Sequence, residues 1–319
     1  MHPLSICVLG GTGFVGSRLV TRLTGAGHGV KVLTRNREQH RHLLVLPELE
    51  LVNANVHDAG QLATHFSSVD VVINLIGILN ERRGAGFRTV HVELARKVAQ
   101  TCRSAGVTRL LHMSSLRADA QAGPSHYLRS RGEAEEIVRR ECGNATDYTI
   151  FRPSTIFGPG DSFINRFARL LRLVPLVFPL ARAGARFAPV YVGDVVEAFA
   201  RCLRGGTGSR RVIELCGPEI FTLGEIVAFT ARTLGLKRRI IALPDFLGRL
   251  QGFVLGFVPG KPFSTDNFRS LTVDSVCSQD GLALLGIKPQ PMAGIVHQYL
   301  GAKSSSGLLD EYREAARRA

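Results

Sequence analysis

The chain has 319 residues and a formal net charge of +14, with 45% hydrophobic and 21% charged residues. That length suits one large α/β unit or two lobes, and so ordinary a composition excludes a disordered chain. The charge favours acidic partners: nucleotides, anionic lipid headgroups, nucleic acid or an acidic protein. No zinc-finger, helix-turn-helix or RNA-binding signature accompanies it, so no specific nucleic-acid partner is expected and a solvated basic surface is the plainer reading.

Apolar runs alternate with helical patterns along the first half. Residues 6–9 read as a buried strand, and Gly10-Gly11-Thr12-Gly13-Phe14-Val15-Gly16 follows at once. Residues 14–26 then read as a helix with Phe14, Val15, Leu19, Val20 and Leu23 as its apolar positions. Strand, glycines and helix in that order are what a dinucleotide-binding corner requires. One glycine permits a tight turn, the next lets a diphosphate approach the backbone, and the last lets helix and strand pack closely. The helix N-terminus then offers free N–H groups and the positive end of its dipole.

Further strands are expected at 30–34, 49–54, 69–76, 109–113 and 149–151, with a helix at 90–103 among those between them. Apolar strands separated by helices imply a parallel sheet covered on both faces. The expected fold is α/β, a Rossmann-type doubly wound sheet in residues 1–158. A smaller mixed α/β substrate or partner lobe follows in 159–319, with one or two strands returning to the sheet. Prolines punctuate that second part, and its tail, 308–319, reads as a helix. Six scattered cysteines without a Cys-x-x-Cys pair suggest a reduced, cytoplasmic protein rather than a disulfide scaffold or a zinc module. No secretory signal and no spanning helix are read. His40 and His42 do not suit a zinc cluster, so no metal is expected.

NAD-binding folds end their second strand with an acidic residue that accepts the ribose hydroxyls. Here the strand runs into Thr34-Arg35-Asn36-Arg37, with no carboxylate before Glu38. Arg35 would attract a 2′-phosphate, so NADP(H) is favoured over NAD(H), with Asn36 beside it. Asp58, after the third strand, is placed to meet the adenine or to cap the next helix, and both roles are compatible.

With these pieces the chain resembles the extended short-chain dehydrogenase/reductase superfamily. The matching stretches are Gly10 to Gly16, Asp70 to Gly77, Ser114-Ser115, Tyr127 with its helix, Arg152 to Pro159, and Pro189 to Val195. Asn74-Leu75-Ile76-Gly77-Ile78-Leu79, Phe157-Gly158-Pro159-Gly160-Asp161 and Leu271-Thr272-Val273-Asp274-Ser275-Val276 narrow the resemblance. They point to the atypical branch typified by the nucleotide-binding accessory subunit of respiratory complex I and its bacterial relatives. The resemblance implies that Asn74, Leu75, Ile76 and Gly77 let the cofactor pass close to backbone. It puts Met113 and Ser114 beside the nicotinamide, and makes Pro153, Ser154, Thr155 and Ile156 offer backbone to its carboxamide. It also implies that Asp194 orders the join between lobes, unless it simply caps the following helix.

Active members of that superfamily use Ser or Thr, Tyr, and a Lys four residues after the Tyr. A cation there stabilises phenolate and brings the phenol towards working pH. This chain offers Ser114 or Ser115, Tyr127, and Arg131 at the lysine position. The charge is kept, but a planar guanidinium does not replace a compact ammonium without rearrangement. A cofactor-holding pair without proton transfer is therefore the better reading of Tyr127 and Arg131. Three functions follow. The first is a nucleotide-holding accessory or assembly protein of a membrane-associated redox complex, peripheral to the inner face of the membrane or resting on an anionic membrane surface. The others are a reductase or sugar epimerase/dehydratase using Tyr127, and an NADP(H)-sensing regulator.

Overall fold

A computed structural model describes residues 2–81, 84–204, 206–258 and 261–300. The expected tail helix at 308–319 lies outside them. The chain forms two compact units. Unit one comprises the chain up to Pro153, Gly193–Leu215 and Ser278–Lys288, and unit two comprises Ser154–Val192, Cys216–Cys277 and the chain from Pro289.

Unit one is built on seven strands: β1 (Ser5–Leu9), β2 (Gly29–Thr34), β3 (Leu49–Asn53), β4 (Val71–Asn74), β5 (Arg109–Met113), β6 (Asp147–Pro153) and β11 (Arg211–Leu215). All pair in parallel, in the order β11-β6-β5-β4-β1-β2-β3. Its helices are α1 (Phe14–Thr24), α2 (Ala59–Phe66), α3 (Leu94–Ser104), α4 (His126–Cys142), α6 (Val192–Arg201) and α10 (Gly281–Leu284). Parallel strands need crossovers, and the helices supply cover for a sheet whose central strands are buried apart from Ser5 at the start of β1. Cys7, Leu9, Val72 and Leu110 of the sheet pack with Leu62 and Phe66 of α2, Val98 and Cys102 of α3, and Val138 of α4. Strand order reverses at β1, between β2 and β4, which is where a doubly wound sheet opens a crevice at its carboxyl ends.

Several boundaries differ from the sequence reading: α1 ends at Thr24 rather than residue 26, and β6 runs Asp147–Pro153 rather than 149–151. The fourth strand stops at Asn74 rather than residue 76, because the Asn74 side chain accepts the Ile76 N–H at 3.2 Å and turns the chain. The helix expected at 90–103 begins as a π-helix, Arg88–Glu93, before α3.

Unit two contains β7 (Ile156–Phe157), β8 (Val177–Ala181), β9 (Arg186–Phe187), β10 (Val190–Tyr191), β12 (Phe221–Thr222) and β13 (Arg239–Leu243), paired as three two-stranded sheets. Its helices are α5 (Ile164–Leu173), α7 (Leu223–Thr233), α8 (Asp245–Leu255), α9 (Thr265–Ser270) and α11 (Met292–Leu300). Ile164 and Leu171 of α5, Leu223 and Ile226 of α7 and Val296 of α11 share one core with Phe178 and Leu180. A capping box, Thr222 with Glu225, starts α7. Asp161 is buried and accepts N–H bonds from Phe163 and Ile164 and the Tyr299 hydroxyl at 2.8 Å, tying the start of α5 to α11.

The cysteines depart from the reduced protein that their scatter suggested. Cys216 and Cys277 form a disulfide across 61 residues, with Cα atoms 5.9 Å apart. Only folding brings Cys216 beside Cys277, so spacing along the chain carried no sign of it. The other four cysteines are free and buried. Burial pushes the Cys7 and Cys142 thiols up to about 12 and Cys202 to about 11.

Candidate functional site

The corner after β1 is shaped by glycine at three positions. Gly10 has φ +79°, a conformation that side chains resist. A Cβ on Gly11 would lie 2.8 Å from the Val32 side chain, and one on Gly16 would lie 2.1 Å from the Gly10 carbonyl oxygen. Helix and turn therefore touch backbone to backbone. Gly13 closes the turn, its N–H bonding the Gly10 carbonyl at 3.1 Å, and it heads α1 without any side-chain cap. No carboxylate lies in the first turn of α1. Among the described residues no acceptor meets the N–H groups of Phe14, Val15 and Gly16, and Thr12 stands beside them half-buried. Such a cradle fits a dinucleotide's diphosphate, because bare N–H groups and a helix dipole end favour negative charge.

At the end of β2, Thr34 is buried and Arg35, Asn36 and Arg37 are exposed. Asn53 accepts the Arg37 N–H at 2.7 Å, and Asn36 accepts the Gln39 N–H at 3.4 Å. Glu38 pairs with Arg41. Among the described residues Arg35 has no hydrogen bond or ion pair. It stands close enough to His57, with Lys97, to help hold that imidazole below its usual range, burial being the larger cause. Asp58 caps α2, accepting from Gly60 N at 2.8 Å and Gln61 N at 3.2 Å. Those bonds hold its carboxyl below the usual range.

Asn74 is buried at the end of β4, where its amide approaches His112 Nδ1 at 3.3 Å. Leu75 N–H bonds the Leu9 carbonyl at 3.0 Å, which ties this segment to the glycine corner. A Cβ on Gly10 would sit 3.2 Å from the Ile76 side chain. A Cβ on Gly77 would lie 1.8 Å from an Arg131 guanidinium nitrogen. The structure thus brings Gly10, Asn74, Leu75, Ile76, Gly77, Met113 and Arg131 together at one end of the sheet.

Arg131 is buried, and it donates to the Met113 carbonyl at 3.0 Å while its Nε finds no partner. Its guanidinium carbon lies 5.6 Å from the Tyr127 ring centroid, over the face of the ring. A lysine would approach as a point charge; this arginine is fixed by a carbonyl on one side and packed against a glycine on the other. Ser114 has a different partner again. Its hydroxyl donates to Glu135 at 2.6 Å, and Glu135, fully buried, is held by Arg152 through two bonds of 2.7 Å and by Arg139 at 3.1 Å. Ser115 is half-buried and bonds the Leu116 carbonyl at 3.4 Å. Ser125 caps α4 through the Leu128 N–H.

Sequence reading missed four residues here: His91, His112, Glu135 and Arg152. His91 is buried, accepts the Ile78 N–H at Nε2 (3.0 Å), and reaches Ser130 Oγ at 2.8 Å through Nδ1. Its ring lies 5.7 Å from that of Tyr127. Burial, then the charge of Arg131, pushes His91 down to about 2 and His112 to about 3, so both are neutral. A histidine inside the apolar face of the 90–103 pattern was the one available signal for His91.

Pro153 ends β6, its carbonyl accepting the Leu116 N–H at 3.0 Å. In unit two, the Ser154 hydroxyl donates to the Ser275 carbonyl at 2.7 Å. The Thr155 carbonyl accepts the Val190 N–H at 3.0 Å, and Ile156 pairs with Val190. Asp194 lies inside the first turn of α6. Among the described residues no group of three or more His, Cys, Asp or Glu side chains could hold a metal.

Comparison with known proteins fits this geometry. Residues 10–161 match a family described as NAD(P)H-binding. The mitochondrial NADH dehydrogenase (ubiquinone) 1 alpha subcomplex subunit 9 of Rattus norvegicus is 31% identical over 297 residues, covering 89% of this chain and 76% of that one. The ceramide reductase of Caulobacter vibrioides is also 31% identical, over 242 residues, covering 75% and 74%. The solved structure of MoeE5 in complex with UDP-glucuronic acid and NAD superimposes with a TM-score of 0.70 at 20% identity, covering 97% of this chain and 99% of that one. At that identity the last likeness speaks for the fold alone.

Proposed function

The chain belongs to the family of the mitochondrial NADH dehydrogenase alpha subcomplex subunit 9, and we propose that it holds NADP(H) as an accessory protein of a membrane-associated redox complex, without turning the nucleotide over. It is an NAD(P)-binding protein. Gly10 to Gly16 would cradle the diphosphate, Asn74 to Gly77 would flank it, and Arg35 would meet a 2′-phosphate that a carboxylate would repel. Pro153, at the end of β6, would offer backbone to the carboxamide. A bound nicotinamide would supply only hydride chemistry; everything else falls to these side chains.

One observation carries the proposal of retention over turnover. The Ser114 hydroxyl is engaged by a buried carboxylate, and Arg131 is anchored to the Met113 carbonyl with its charge over the Tyr127 ring. A proton-transfer triad needs serine, phenol and cation aimed at one reacting oxygen. Here the serine and the cation are engaged elsewhere. No helix among the described residues is long and apolar enough to cross a membrane; the proposal places the protein peripherally, at the inner face of the membrane.

Mass spectrometry of small molecules released from purified protein tests the reading. NADP(H) in near-stoichiometric yield is expected. Protein that emerges empty and shows no affinity for NADPH would refute it. A reductase is the second reading, favoured by the likeness to ceramide reductase and by the retained Tyr127. It requires NADPH oxidation with a carbonyl substrate that disappears in Tyr127→Phe while nucleotide affinity stays within about twofold.

A further inference from the structure

Helix α8 of unit two has its amphipathicity reversed. Its inward face is made of glycine: a Cβ on Gly248 would lie 2.8 Å from the Phe268 ring, and one on Gly252 would lie 3.2 Å from the Ser264 carbonyl. Gln251 pins the helix to β8, donating to the Pro179 carbonyl at 3.1 Å and accepting from Ala181 N at 3.3 Å. The large apolar side chains go the other way. Phe246 is 69% exposed, Leu250 54%, Phe253 59% and, just past the helix, Phe257 76%. Positions i, i+4 and i+7 share one face, and Phe253 and Phe257 touch edge to face with centroids 5.1 Å apart. A folded monomer gains nothing by holding three phenyl rings in water.

Positive charge predominates beside this ridge. Asp245 is the one carboxylate on α8, and Arg182 neutralises it at 2.9 Å. Arg249 on the helix and Arg239 on neighbouring β13 are exposed and make no ion pair among the described residues. Residues 154–192 and 216–277 together carry 12 Lys and Arg against 6 Asp and Glu.

We propose that this face of unit two rests on an anionic lipid bilayer, with the Phe246, Phe253 and Phe257 rings in the headgroup–acyl boundary and Arg249 and Arg239 on lipid phosphates. Eleven residues of helix reach about 16 Å, roughly half the hydrocarbon thickness, so α8 lies in the plane of the interface and does not span it. Rings this exposed form a ridge rather than a pocket. A fluid lipid surface accommodates a ridge without a matching groove, and the unpaired cations complement its phosphates. The proposal deepens the membrane-associated reading above, but it does not depend on nucleotide retention, so either can fail alone.

Flotation of the full chain with vesicles tests it. Binding to vesicles of 30% phosphatidylglycerol in phosphatidylcholine should exceed binding to pure phosphatidylcholine at least tenfold, and should weaken in high salt. Phe253→Ser should lower the partition coefficient by about tenfold, and the triple change of Phe246, Phe253 and Phe257 to Ser by more than about thirtyfold. Arg249→Glu with Arg239→Glu should abolish the preference for the anionic vesicles. The far-UV circular dichroism and Tm of every variant should match the parent, which shows that each is folded. Equal binding to both vesicle types, or full binding by the triple variant, would overturn the proposal. So would a concentration-dependent dimer that the triple variant loses, because a second copy would then cover the face.

Discussion

Replacing Gly16 with alanine should damage the nucleotide corner by a distance the structure fixes. The new Cβ would lie 2.1 Å from the Gly10 oxygen and 2.7 Å from the Gly11 Cα. Ordinary carbon–oxygen contact is about 3.3 Å, so the turn must retreat by about 1 Å, and both neighbours are backbone with no rotamer to yield. Overpacking of this kind costs about 1–3 kcal/mol, a fall in Tm of roughly 2–10 °C for a chain of this size. A 1 Å displacement of a ligand-positioning group costs on the order of 100-fold, so NADPH affinity should fall by at least about tenfold. Gly13→Ala separates the two effects. Its φ of −82° suits any residue, and its Cβ would meet only the Gly10 oxygen, at 3.3 Å. That variant should keep its Tm within about 2 °C and still lose affinity, since the diphosphate is expected to approach this backbone. Thermal unfolding and titration calorimetry read both quantities. A Gly16→Ala protein with parental Tm and affinity would refute the packing argument, and a Gly13→Ala protein with parental affinity would place the diphosphate elsewhere.

Arg35→Ser should weaken NADPH by about tenfold or more, a charge-assisted bond to phosphate being lost, and should change NADH by less than about twofold. An equal change in both, by titration, would remove the 2′-phosphate from Arg35. Glu135→Gln leaves Arg152 without its carboxylate and should cost about 2–4 kcal/mol in urea unfolding, the partial exposure of Arg152 keeping it towards the low end; an unchanged midpoint would show the network to be energetically idle. His91 and His112 are held neutral, their folded pKa values depressed to about 2 and about 3. Their contribution is complete above the unfolded value near 6.5 and is lost as pH falls below it, at about 1.4 kcal/mol per pH unit for each histidine. Unfolding free energy should therefore drop by a few kcal/mol from pH 6.5 to 5, and a flat profile over that window would contradict their burial as neutral bases.

Much of unit one was legible because its signals are local. The strand–glycine–helix corner, the arginine in place of a carboxylate after β2 and the arginine four residues past Tyr127 are all facts of adjacent positions. Backbone sterics turn such spacing directly into geometry. The 90–103 helix was found by its period, yet its π-helical start was invisible, since one period fits both windings to within a residue. Asp58 was legible as a helix cap because capping is a three-residue affair.

What the chain alone determined was a parallel sheet with a dinucleotide corner, for the physical reason that neighbours in sequence dictate dihedrals and periodicity. Tertiary structure alone decided what each polar group spends its hydrogen bonds on. Ser114 finds Glu135 from 21 residues away, Arg131 finds the Met113 carbonyl from 18, and Cys216 finds Cys277 from 61. It also turned the phenylalanines of α8 outward, a choice made by which face had room only for glycine. Burial depends on all the surrounding elements at once, so no window of sequence contains it.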